Sequence, residues 1–240
     1  MILFLTSSPC LYQHDPATLN PANGFLDRLR AALPKKPRVL SICSDPDSHN
    51  MTDFFARDML GAFHRAGIEF GGAAVLDGRN ATQARELIRR SDFIILMGGH
   101  VPTQNAFFRK IGLKSLLEGY HGVIMGISEG SMNAAEISYA QPEADGETAP
   151  SFRRFYPGLG LTDIHICPHY QQVKDWELDG KRLYGQITEA DSMGRSFYIF
   201  PDGTYLYRDA RDHAIYGECR RMTDGITEKL TADGGRFPLK

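Results

Sequence analysis

Gly122-Val123-Ile124-Met125-Gly126-Ile127-Ser128-Glu129-Gly130-Ser131 sets a serine between two glycines where an apolar run meets a helix-compatible one. Residues 122–125 read as a short buried strand and residues 131–137 as a helix, so strand, tight turn and helix follow one another. That order is the sequence form of a nucleophile elbow, in which a strained turn lifts a serine hydroxyl clear of the sheet. Side chains at the flanking glycines would collide with neighbouring backbone. A glycine-rich turn of this kind also serves plain chain reversal or phosphate binding in doubly wound domains, so the motif alone leaves both readings open.

Outward from the elbow, apolar strand candidates (1–5, 38–43, 68–76, 93–97) alternate with helical segments (51–66, 81–90, 103–117). In the first helix Phe54, Phe55, Met59, Leu60 and Phe63 recur at helical spacing. Alternation of this kind, with nearly continuous apolar strands, predicts an α/β fold: a mostly parallel sheet with helices on both faces. Functional loops then gather at the carboxyl ends of the strands. Residues 141–158 are rich in Pro, Gly and charge and read as a loop, followed by a strand over 162–167. The short runs 196–200, 204–207 and 214–218 suggest a small antiparallel meander at the end. No internal repeat or linker divides the chain, which reads as one domain over 1–240.

Bulk composition narrows the setting. With 240 residues and 42% hydrophobic content the chain can bury a substantial core. Its 27 Lys and Arg against 29 Asp and Glu give a charge near −2, which points away from nucleic acid and other polyanions. Four scattered cysteines, Cys10, Cys43, Cys167 and Cys219, form no CxxC pair, so neither a disulfide framework nor a zinc knuckle is implied. Residues 1–5 are apolar but lack a basic leader region, and no run approaches the ~20 apolar residues of a membrane span. The expectation is a soluble cytoplasmic protein with no membrane partner.

A serine nucleophile needs a base, and the base an orienting carboxylate. Among eight histidines, His169 is best placed, because Cys167-Pro168-His169-Tyr170 ends a buried strand on the same rim as the elbow. For the acid, Asp202 in Phe200-Pro201-Asp202-Gly203 closes another apolar strand, although Pro-Asp-Gly is also an ordinary turn.

The ordered set of a leading apolar strand, Met97-Gly98-Gly99, Gly126-x-Ser128-x-Gly130, Cys167-Pro168-His169-Tyr170 and Pro201-Asp202-Gly203 covers most of the chain. It resembles the serine peptidase family of aspartyl dipeptidase (peptidase E) and cyanophycinase, whose fold is like that of the class I glutamine amidotransferases, a flavodoxin-like three-layer arrangement. The resemblance implies Ser128 as nucleophile, His169 as general base and Asp202 as orienting acid, with the amides of Gly99 and Glu129 as the oxyanion hole. It implies acyl transfer on a small peptide substrate, with no cofactor and no metal. Relatives more often carry Glu at the acid position, so Asp202 is shorter by one methylene. They act on peptides beginning with Asp, and an arginine after the histidine receives the acidic side chain. Arg182 in Gly180-Lys181-Arg182 occupies the comparable place.

Two departures bear on substrate binding. Relatives usually have Ala after the serine; here Glu129 must keep its carboxylate away from the oxyanion or have it paired. With Glu136 on the same helical face, Glu129 is a candidate holder of a cationic substrate group, or simply a carboxylate favoured at a helix N-terminus. The second is Gly99-His100-Val101-Pro102, where relatives read Gly-Asn-Thr, making His100 a candidate pocket residue.

Other constellations compete with these. His165, Cys167 and His169 alternate on one strand, but no fourth metal ligand is evident. An esterase order would run Ser128, Asp175 or Asp179, then His213. Glu143 is an alternative triad acid, and Arg153, Arg154, Phe152, Phe155 and Tyr156 form either a lid or a loop anchor. Trp176 and Tyr170 are candidates for the pocket border. The alternatives to a peptidase are a non-catalytic ligand-binding protein of the amidotransferase-like fold, and an esterase or amidase of a non-peptide substrate. Monomer and homodimer both remain open.

Overall fold

A computed structural model describes residues 1–239. Its centre is five parallel strands, β1 (Ile2–Thr6), β2 (Arg38–Ile42), β3 (Gly72–Leu76), β4 (Phe93–Leu96) and β5 (Val123–Ile127), in spatial order β1-β5-β4-β2-β3. Successive side chains of a strand point to opposite faces, and the sequence supplies apolar residues for both. Leu3, Leu5, Leu40, Ile42, Ile94, Leu96 and Ile124 meet Ile88 of α3 (Ala84–Arg89), Phe107 and Phe108 of α4 (Val101–Lys110) and Leu113 of α5 (Leu113–Leu116). Phe4, Val39, Phe93, Ile95, Val123 and Met125 meet Phe25 and Leu29 of α1 (Phe25–Ala32) and Phe63 of α2 (His49–Arg65). Each such side chain contributes about 1.5–3 kcal/mol by leaving water. The expected α/β architecture is thus present, its sheet covered on both faces.

The elbow helix is α6 (Glu129–Met132), a single turn, where the sequence predicts a longer helix over 131–137. The carbonyls of Asn133, Ala134 and Ala135, which would have continued it, instead accept N–H groups of Leu159, Leu161 and Gly160. The chain turns into a short strand, β6 (Ile137–Tyr139), paired with β7 (Phe155–Pro157). The strand predicted over 68–76 is likewise shorter, because Ile68 N–H closes the end of α2 on Phe63 O while Gly67, at φ 76°, makes the left-handed turn.

The C-terminal part differs most from expectation. It is two constructions, not one meander. β8 (His165–Cys167) pairs parallel with β11 (Ser196–Ile199), which pairs antiparallel with β14 (Cys219–Thr223) and through it β15 (Ile226–Thr231). Between β8 and β11 lie α7 (Tyr170–Val173) and the small hairpin β9 (Glu177–Leu178) and β10 (Lys181–Arg182). β12 (Tyr205–Arg208), β13 (His213–Tyr216) and β16 (Arg236–Pro238) extend the central sheet antiparallel beyond β1, bringing it to eight strands. The main sheet therefore carries Ser128 at the end of β5, and the second sheet carries His169 and Asp202 beyond the ends of β8 and β11.

Candidate active site

The turn after β5 explains both glycines. β1 and β5 pair in register through Thr6 and Ile127, and Ser128 N–H then reaches the carbonyls of Thr6 and Ser7. This holds Ser128 at φ 51°, ψ −113°, a strained conformation for a residue with a side chain, costing on the order of 1–3 kcal/mol. A Cβ on Gly126 would lie 2.8 Å from the Ser131 backbone, and one on Gly130 only 2.2 Å from Leu96 O. Both glycines are there for close approach.

His169 and Asp202 meet because their strands are neighbours. Cys167 is in register with Ile199, the N–H of Phe200 bonds to Cys167 O, and Tyr170 N–H to Phe200 O. Just beyond, His169 takes a left-handed conformation (φ 56°, ψ 27°) that aims its ring inward. Its Nδ1 lies 2.7 Å from Asp202 Oδ1 and its Nε2 2.7 Å from Ser128 Oγ. Neither Glu143 nor the Asp179–His213 set occupies these positions. Asp179 accepts from Gly146 N–H and the Thr148 hydroxyl, and His213 lies on β13.

Three residues that sequence reasoning passed over hold Asp202. The Ser7 hydroxyl, fully buried, donates to Asp202 Oδ1 at 2.8 Å and accepts His169 N–H at 2.7 Å. Gln171 and Gln172 donate their amides to Asp202 Oδ2 at 2.6 and 2.5 Å, and Asp202 N–H returns a bond to Gln171 Oε1. Burial alone would raise the Asp202 pKa, but His169, Ser7 and Gln172 outweigh it and the value is lowered. Burial likewise works against a charged His169, but the hydrogen bond and charge of Asp202, with the charge of Glu129, leave its pKa raised.

The main surprise lies at Gly99 and Glu129, the pair expected to form an oxyanion hole. Glu129 neither points away nor pairs with a cation: its Oε2 accepts Gly99 N–H at 2.6 Å, occupying one of the two expected donors. Gly98 makes room for it, since a Cβ there would stand 3.0 Å from Glu129 Oε2. Glu129 N–H opens the first turn of α6 without an acceptor among the described residues. Glu143, on the loop over 141–158, retains surface open to solvent, yet desolvation by nearby protein and the charges of Glu129 and Glu147 push its pKa to about 8.

A cavity of about 350 Å³ opens beside Ser128, lined by Gly98, Gly99, Glu129, His169 and side chains of α2, β4 and β5. A larger one, about 660 Å³, lies at the other end of the sheet by Ile2, Arg85 and Gly122, remote from this chemistry. Arg182 is not among the residues lining the Ser128 cavity. It is exposed on β10, with its guanidinium over Gly185 and its N–H on Gln186. His100 is also outside that lining, with Nδ1 2.8 Å from Thr103 Oγ1 and Nε2 3.2 Å from Glu147 Oε1. Trp176 and Tyr170 do not line it either, and Tyr170 packs edge-on to Tyr184. Of the loop aromatics, Phe152 and Tyr156 pack against Val101 and Met132, while Arg154 binds Asp191 at 3.0 Å, so these residues anchor the loop. His165 packs against Phe155 and Phe197, and Cys167 is fully buried. Among the described residues no group of three His, Cys, Asp or Glu is placed to hold a metal.

The sequence profile of Peptidase family S51 matches residues 4–215, most of the chain. The chain belongs to peptidase family S51. This serine-peptidase family is the one the motifs resemble, and it makes the chain a hydrolase of peptidase type. Two solved structures share the S51 protein's fold. A peptidase from an acI-B1 Actinobacterium superposes with a TM-score of 0.71 at 17% identity, covering 99% of this chain and 96% of the other. A peptidase E candidate from Listeria monocytogenes EGD-e gives 0.58 at 18% identity, covering 96% and 98%. No curated protein matches the chain. No helix among the described residues is long and apolar enough to cross a membrane.

Proposed function

We propose that this S51 protein hydrolyses an amide bond of a small peptide through Ser128, His169 and Asp202 and an acyl-enzyme. The supporting observation is the unbroken line of hydrogen bonds, 2.7 Å from Ser128 Oγ to His169 Nε2 and 2.7 Å from His169 Nδ1 to Asp202 Oδ1. His169 Nε2 takes the hydroxyl proton as Ser128 Oγ bonds to the substrate carbonyl carbon, and Asp202 stabilises the imidazolium. The developing oxyanion needs two N–H donors; Glu129 N–H is free, and Gly99 N–H becomes available when the Glu129 carboxylate leaves it. Collapse of the adduct breaks the C–N bond, and the amine departs with the proton from His169. Water, deprotonated by His169, then cleaves the ester and restores Ser128. The four unpaired cysteines suit a reducing, cytoplasmic setting.

Glu129 on Gly99 also favours a second reading, a ligand-binding protein without turnover, since a carboxylate there opposes an oxyanion. One experiment separates them. A fluorophosphonate probe labels the wild type and leaves Ser128→Ala and His169→Ala unlabelled if the hydrolase reading holds. Absence of labelling in the wild type sinks it and favours the binding protein.

A further inference from the structure

From the walls of the cavity beside Ser128 we infer that it receives an apolar side chain of the substrate, aliphatic or aromatic, and rejects an acidic one. This inference rests on the proposed hydrolase reading and names the substrate class for the same site.

The cavity is bounded by Ser128, Gly98, Gly99 and His169, so a substrate whose carbonyl meets Ser128 Oγ projects an adjoining group into it. Its apolar walls are Phe55, Ala56 and Met59 of α2, Ile95 and Met97 of β4 and its end, and Ile127 of β5, with the hydroxyls of Ser41 and Ser44 as neutral polar groups among them. Asp58 and Glu129 are the acidic groups in the lining, and no lysine or arginine lines it. A carboxylate entering this space would leave water without a cationic partner and face two like charges. Those carboxylates do not call for a substrate cation. Asp58 has Arg65 at 3.9 Å, and Glu129 is hydrogen-bonded to Gly99 N–H. Arg182, the residue expected to receive an aspartyl side chain, is outside the lining.

Size and exposure agree with an apolar guest. About 350 Å³ is near the lower end of the roughly 300–1,000 Å³ of small-molecule sites, enough for one large side chain and its backbone. Phe55 is 50% exposed although it lines the cavity, leaving apolar surface that a bound side chain would cover.

The test measures binding and turnover separately. Calorimetric titration of Ser128→Ala with unblocked dipeptides beginning with Leu, Phe, Asp or Lys reads the cavity without catalysis, and turnover of the same panel by wild type reads the chemistry. Leu- and Phe-first peptides should bind at least about tenfold tighter than Asp- or Lys-first ones, the scale on which apolar pockets discriminate. Phe55→Lys, at a half-exposed position, should remove that preference. Phe54→Lys, the same charge one residue away and outside the lining, should keep it. Equal or tighter binding of Asp- or Lys-first peptides overturns the inference, as does absence of binding by every peptide. Apolar preference in Ser128→Ala without wild-type turnover or fluorophosphonate labelling leaves the inference standing and removes the hydrolase reading. Turnover of Asp-first peptides alone does the reverse.

Discussion

Glu129 and Gly99 are joined across the elbow: a carboxylate oxygen of the first accepts the backbone N–H of the second at 2.6 Å. Gly99 can sit there because it lacks a Cβ, which would fall 2.3 Å from Ser44 Oγ. The resting site therefore has a negative group on a donor that acyl transfer needs for an oxyanion. Two like charges 4 Å apart repel by about 4 kcal/mol at an effective dielectric of 20, so chemistry requires this carboxylate to move or be neutralised.

Replacing Glu129 by Ala keeps the backbone N–H of position 129 and frees that of Gly99. An oxyanion donor contributes on the order of 10²–10³ in rate, so partial recovery should accelerate phosphonylation of Ser128 about tenfold or more. The readout is the pseudo-first-order labelling rate with an uncharged fluorophosphonate. A slower rate in Glu129→Ala would mean that the carboxylate assists the reaction.

The pH dependence has a definite sign. In the proposed mechanism His169 acts as base when neutral, and its pKa is raised by Asp202 and Glu129 against the effect of burial. The acid limb of kcat/KM should therefore lie above the ordinary histidine value of about 6.5. Removing the charge in Glu129→Gln should move that limb toward lower pH, and an unmoved limb would show that Glu129 does not act on His169. Stability runs the other way. The raised pKa means that protonated His169 stabilises the fold, fully below about 6.5, and that this contribution is lost as pH rises through the folded-state value. The same pair seen from Asp202, whose pKa is lowered, holds above its unfolded value and is lost as pH falls through the folded one.

Ser7 ties the acid to the base, taking His169 N–H while giving its proton to Asp202. Ser7→Ala would leave that part-buried N–H without its partner, at a cost of about 1 kcal/mol, and loosen the carboxylate. We expect kcat to fall while KM changes little, because Ser7 does not line the cavity beside Ser128. Asp202→Asn, which removes the orienting charge, should cost far more, on the order of 10³–10⁴-fold in kcat. Steady-state kinetics of the two variants checks the order, and equal KM and kcat effects in Ser7→Ala would reject a positioning role.

Legibility in the sequence followed a physical divide. Ser128, His169 and Asp202 each end a buried strand and are marked by Gly or Pro, so local pattern placed them on one rim. Ser7, Gln171 and Gln172 carry no such mark: a serine after β1 looks like a turn residue, and its partners lie more than 160 positions away. Glu129 stands out in the sequence as a departure, but its bond to Gly99 depends on side-chain conformation and on space left by Gly98. The helix predicted over 131–137 failed because residues 159–161 claim its carbonyls. Runs 196–200 and 204–207 looked alike, yet one joins β8 and the other β1, a choice made by long-range pairing.

Two glycines separate crowding from backbone strain. Gly130, the second glycine of the elbow, has no positive φ, but an added Cβ would lie 2.2 Å from Leu96 O and 2.9 Å from Leu96 Cβ. Gly67, closing α2, has φ 76° and nothing within 4 Å of an added Cβ. Gly67→Ala should cost about 1–2 kcal/mol, the strain of a side chain in the left-handed region. Gly130→Ala must push backbone apart beneath Ser128, where overpacking costs about 1–3 kcal/mol or more. Urea denaturation should rank Gly130→Ala below Gly67→Ala in stability, and fluorophosphonate labelling should fall in Gly130→Ala alone. Full labelling of a folded Gly130→Ala protein would show that the serine tolerates displacement of the helix start beneath it.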